Sequence, residues 1–191
     1  MGKTRLEAFS DGVLAIIITI MVLELTVPHE PSLEALRPLW GVFLSYVLSF
    51  VYVGIYWNNH HHMLHTVTKV TGGIMWANLH LLFWLSLVPF VTGWMGENHF
   101  APLPTSAYGV VMLGAAIAYW ILQRLIIRSQ GPDSILHKAV RGDWKGNVSP
   151  VFYVLGILIA PMIPWLAGAL YAGVAAIWLV PDRRIERILR D

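Results

Sequence analysis

Asp11, Asn78, His80 and the histidines at positions 60, 61, 62 and 65 are the side chains whose chemistry is out of place, because each stands in or beside an apolar stretch. In hydrocarbon an ionisable side chain costs about 2.5–3.5 kcal/mol on insertion scales, so each one asks for a partner or a wet cavity. Asp11 follows Glu7 by one turn, and Glu7 cannot neutralise it. Arg5 lies six positions back, about 240° around a helix, so a cationic partner must come from another helix. Two readings stay open: a carboxylate wetted by headgroups, or a member of a buried inter-helix network. Asn78 fits helix-packing glue better than a conduction site. His61 and His65 have the i, i+4 spacing that puts two imidazoles on one face, where they can hold a metal. With no cysteine in the chain and no nearby carboxylate to complete such a site, structural or pH-sensing histidines at the membrane surface are the better reading.

The elements that position these residues follow from composition. The 191 residues are 57% hydrophobic and only 13% charged, where a soluble domain carries about 25%. Mean hydropathy is +0.62. Six apolar stretches of about 20 residues each would use roughly 120 positions and leave about 70 for tails and connections, too few for a separate catalytic domain. The expectation is one all-α, polytopic membrane domain over 1–191, with helices at about 5–27, 38–64, 72–95, 106–128, 148–163 and 165–181. Thr4 and Glu7 have capping-box spacing, and Glu7 and Asp11 argue against a removable signal peptide. Pro28 stops the first helix. Pro161 and Pro164 split the last apolar block into a hairpin. Trp40, Trp94, Trp165 and Trp178 near the expected ends suit interfacial belts.

Orientation follows from the cationic residues. Of the 13 Lys and Arg, all but Arg37 fall on one side of this topology: Lys3, Arg5, Lys69, Arg124, Arg128, Lys138, Arg141, Lys145 and the tail residues Arg183, Arg184, Arg187 and Arg190. The positive-inside rule then puts both termini in the cytoplasm. Glu24, Glu30, Glu34 and Glu97 accompany Arg37 on the far side. The net charge of +2 is too small to argue for nucleic acid. No internal repeat supports an inverted-repeat transporter. A T-V-G-Y-G loop is absent, which excludes a carbonyl-lined potassium filter of that kind. No nucleophile, base and orienting acid converge, so no enzyme is expected. The first helix is almost wholly aliphatic, and Ile16, Ile20 and Leu23 share one of its faces. On composition alone that face is lipid-facing or packing.

The run Arg5-Leu6-Glu7-Ala8-Phe9-Ser10-Asp11 resembles the R-x-x-x-F-S-D signature of the lysosomal potassium channel family of the transmembrane protein 175 type, in its prokaryotic branch. Trp57-x-x-His60-His61, followed by a third helix containing Asn78 and ending in Pro89-Phe90, is similar to a second element of that family. The resemblance implies a homotetramer whose first helices line a central cation pore without a conventional filter loop. Carried onto this chain, Ile16 corresponds to the family's hydrophobic constriction, Ile20 and Leu23 extend it, and Thr19 stands beside it as a polar pore-lining residue. Arg5, Phe9, Ser10, Asp11, Trp57, His60, His61 and Asn78 become the network that holds the pore helix. The implied function is a potassium-permeable cation channel of a prokaryotic plasma membrane, gated by that constriction. Potassium is the permeant ion, the lipid bilayer and further copies of the chain are the partners, and neither cofactor nor resident metal is expected. The alternative is a proton-coupled or metal-ion transporter using Asp11, His80 and the histidine cluster.

Overall fold

The computed structural model describes residues 2–131, 134–140 and 143–179. Arg141, the tail residues Arg183, Arg184, Arg187 and Arg190, and the last two positions of the helix expected at 165–181 lie outside the described residues. The described elements are α1 (Lys3–Leu23), α2 (Trp40–His65), α3 (Gly72–Ser86), α4 (Val88–Glu97), α5 (Pro102–Gln130), α6 (Ile135–Ala139), α7 (Trp144–Ile159) and α8 (Pro164–Leu179). A 3-10 turn, Glu34–Leu39, leads into α2. Four spans, at Lys3–Leu23, Glu34–His65, Gly72–Glu97 and Pro102–Gln130, are long and apolar enough to cross a membrane, and α7 and α8 are shorter apolar helices.

Several boundaries differ from the sequence expectation, and proline accounts for most of the differences. The third stretch, expected unbroken over 72–95, is two helices joined at Leu87. Pro89 lacks an N–H and its ring would collide with the Leu85 carbonyl four residues back in a regular helix, so the helix is interrupted just ahead of it. The fourth helix begins at Pro102, ahead of the expected 106, because Pro102 and Pro104 sit in a first turn whose N–H groups need no intrahelical acceptor. α1 ends at Leu23 and not at 27; Pro28 biases Val27 away from helical backbone and the last turn unwinds ahead of it. α7 begins at Trp144 and not at 148, since Asp143 caps it by accepting from the Gly146 N–H at 3.1 Å.

Packing sets the helices alternately up and down. α1 rests on α2, α3 and α4, α3 runs along α5, and α7 packs on both α5 and α8. The end of the bundle that carries the N terminus is tied by Lys3 Nζ donating to the His65 carbonyl at 2.6 Å, by the Tyr119 hydroxyl donating to the Asn59 carbonyl at 3.3 Å, and by Trp178 Nε1 donating to Ser149 Oγ at 2.9 Å. The ends of α2 and α5 and the start of α7 therefore share one level with the start of α1. A Cβ at Gly114 would run into the Trp84 indole, so the α3–α5 crossing depends on a small residue there, as crossings in lipid commonly do. Gly114→Leu is expected to cost about 1–3 kcal/mol through overpacking, read as a lowered thermal midpoint of the purified protein in detergent.

Candidate functional site

Along α1 the buried positions are Leu6, Ser10, Leu14, Ile17 and Met21, spaced by three or four residues as one helical face requires. The opposite face is bare. Ile16 is 58% exposed, Ile20 43% and Leu23 76%, whereas Ile17 is 4% exposed. Within the isoleucine run it is thus Ile16 that points away from the bundle and Ile17 that packs inside it. Thr19 lies on the bare face, its hydroxyl turned back to the carbonyls of Ala15 at 3.1 Å and Ile16 at 2.9 Å. With its single proton directed to the backbone, the Thr19 oxygen keeps a lone pair for a visitor from outside the helix.

On the inward face of α1 a buried polar chain accompanies the apolar contacts. His60 Nε2 lies 2.7 Å from Asn78 Oδ1, Asn78 Nδ2 donates to Ser10 Oγ at 2.9 Å, and Ser10 Oγ donates to the Leu6 carbonyl at 2.9 Å. Ser10 and Asn78 are fully buried and His60 nearly so. The direction of the chain follows from the donors. Asn78 presents its carbonyl oxygen to the ring, so Nε2 of His60 carries the proton and donates. Three helices, α2, α3 and α1, are joined through one amide. One turn further on, Trp57 Nε1 from α2 donates to Asp11 Oδ1 at 3.1 Å. Asp11 is thus partnered from another helix, by an indole and not by a cation, at an exposed edge of the bundle. Its environment combines the two readings left open above.

The remaining expected residues are placed around this clamp. His61 stacks near the Trp57 ring, with centroids 6.4 Å apart, and near His65 at 6.2 Å. No group of three His, Asp or Glu side chains suited to a metal occurs among the described residues, so His61 and His65 have no third ligand there. Arg5 and Phe9 lie exposed and are not drawn into the chain of hydrogen bonds. His80 is also exposed and accepts from Trp84 Nε1 at 3.0 Å. Asp11 and His61 share Trp57 as a neighbour, whereas His80 is engaged with Trp84 of its own helix. A second buried polar chain was not anticipated: Thr92 Oγ1 and Ser49 Oγ are 2.6 Å apart, and Ser49 Oγ is 3.1 Å from the Tyr108 hydroxyl. It joins α2, α4 and α5. The sequence signal was there in lone Ser and Thr residues within apolar helices, whose hydroxyls must find acceptors away from water.

Fold and site together define an all-α polytopic membrane protein with four long apolar helices and two shorter ones, organised around an N-terminal helix whose outer face is left open. Residues 5–89 match the family described as "Endosomal/lysosomal potassium channel TMEM175". The chain is similar over its whole length, and over the whole of the relative, to a potassium channel of a Chryseobacterium species (strain P1-3), at 56% identity. It is 35% identical to a potassium channel of Chamaesiphon minutus across 85% of this chain and 86% of the relative. The crystal structure of a lysosomal potassium-selective channel TMEM175 homolog from Chamaesiphon minutus superposes with a TM-score of 0.80 at 27% identity, covering 94% of this chain and 97% of the other. The chain belongs to the TMEM175 family, in its prokaryotic branch. That is a family of channels and not of enzymes.

Proposed function

We propose that four copies of this chain assemble in the plasma membrane of a prokaryote around an axis lined by α1, each copy a single six-pass domain, to make a potassium-permeable pore closed by a ring of Ile16 side chains. The observation that carries this reading is the rotation of α1: the Ser10–Asn78–His60 chain lies on the face that is turned inward, and Ile16, Ile20 and Leu23 are turned outward. Four branched side chains meeting at an axis exclude water, and a dehydrated cation finds no oxygen among them. Thr19, one turn away, offers the hydroxyl oxygen that the isoleucines lack. Arg5 and Phe9 stand where the neighbouring copy would lie, which gives these signature residues contacts that one subunit cannot supply. Both termini face the cytoplasm on this reading, because Lys3, Arg5, Lys69, Arg124, Arg128, Lys138 and Lys145 all belong to the end of the bundle that carries the N terminus.

The test uses the absence of cysteine from the chain. Leu23→Cys in reconstituted protein should form disulfide-linked dimers on oxidation, since residues on facing helices around a narrow axis fall within reach of a bridge. Single-channel currents under opposed potassium and sodium gradients should reverse on the potassium side. Monomeric Leu23→Cys after oxidation, with no current from the unmodified protein, would remove the proposal. Replacing His61 and His65 together by Ala is expected to leave potassium flux within about twofold, because neither side chain reaches the bare face of α1. A zinc-dependent current lost in that double variant would restore the metal reading.

A further inference from the structure

At the end of the bundle that carries the N terminus, α2, α5, α6, α7 and α8 enclose a cavity of about 320 Å³, within the range of sites that hold small organic ligands. Its walls are of two kinds. The deep part is aromatic, from Tyr52, Tyr56 and Tyr153, while Arg124, His137 and Asn147 bring polar groups to it. Among the described residues, the lining carries one arginine, Arg124, and one carboxylate, Asp143. Asp143 is engaged in capping α7 through the Gly146 N–H. Arg124 has no carboxylate partner among the described residues; its guanidinium is held 5.2 Å over the Trp120 ring, which fixes its position while leaving its N–H donors available. An oriented arginine beside an aromatic chamber that Trp120 and Trp178 also line suits an anionic head joined to an apolar body, since tryptophans favour the membrane interface.

We infer that this cavity is a binding site for the phosphate headgroup and first carbons of an anionic phospholipid from the surrounding leaflet, with Arg124 as the phosphate ligand. The site lies away from the bare face of α1, and its occupation does not depend on conduction through that face.

Native mass spectrometry of the detergent-purified protein titrated with phosphatidylglycerol or phosphatidylcholine tests the inference. Phosphatidylglycerol adducts should survive activation that strips phosphatidylcholine. Arg124→Gln should weaken phosphatidylglycerol retention about tenfold, equivalent to about 1.4 kcal/mol. Arg124→Lys should retain part of it, and Ala116→Phe, which fills the chamber without touching the charge, should weaken it as much as Arg124→Gln. Size-exclusion profiles identify any variant that fails to fold, and the remaining variants then carry the comparison. Inorganic phosphate alone raising the thermal midpoint as much as the lipid, in an Arg124-dependent way, would assign the site to a soluble anion and overturn the lipid. Equal retention of both lipids, or adducts indifferent to Arg124→Gln and Ala116→Phe, would overturn the site itself.

Discussion

Ile16→Asn is expected to raise potassium flux through reconstituted protein by at least about tenfold, which corresponds to removing about 1.4 kcal/mol from the crossing barrier. On the proposed assembly, each substituted side chain brings an amide oxygen to a ring that is otherwise hydrocarbon, so the constriction can hold water and a passing cation keeps part of its shell. Ile16→Ala should act in the same direction through width alone, and less strongly. Ile17→Ala is the control. Ile17 is 4% exposed where Ile16 is 58% exposed, so its truncation empties a packed site, at a cost of about 2–5 kcal/mol of stability, without opening the axis. Liposome flux measured by a potassium-sensitive dye separates the two. Equal leak from Ile16→Asn and Ile17→Ala, or none from either Ile16 variant, would withdraw the gate from Ile16.

The second large effect belongs to Asn78. Asn78→Leu keeps the volume of a buried side chain and removes the amide that joins three helices, stranding the His60 Nε2–H in an apolar interior. A buried donor left without an acceptor costs about 1–3 kcal/mol, and α1 loses one of the contacts that set its rotation. The thermal midpoint should fall, the oligomer should broaden on size exclusion, and any remaining current should lose its closed state. Asp11→Ala removes one indole hydrogen bond at an exposed edge and should cost about 1 kcal/mol, impairing assembly more than selectivity. A thermal midpoint for Asn78→Leu equal to that of the unmodified protein would show that the clamp does not hold α1.

Much of this molecule was legible one residue at a time. Low charge and long apolar runs dictate helices in lipid, because a backbone without water must bond to itself. Asp11 and Asn78 could be marked as residues in need of partners for the same reason. The identity of those partners was not legible. That Asn78 meets His60 and Ser10, and that Asp11 meets an indole, depends on how three helices cross, and hydrogen-bond partners 18, 68 and 46 positions apart leave no trace in local pattern. The break at Leu87 is a milder case: Pro89 was visible, but a long apolar run hid its consequence.

The amino-acid order by itself determined the class of this protein, the number of its apolar stretches and the signature that ties it to its family, since each is a property of composition or short spacing. Only the tertiary structure decided which isoleucine of Ile16, Ile17 and Ile18 faces outward. On an almost uniformly aliphatic helix no polar stripe exists to orient it, so the angle comes from the neighbouring helices, which bury Leu6, Leu14, Ile17 and Met21 and bring the Asn78 amide to Ser10.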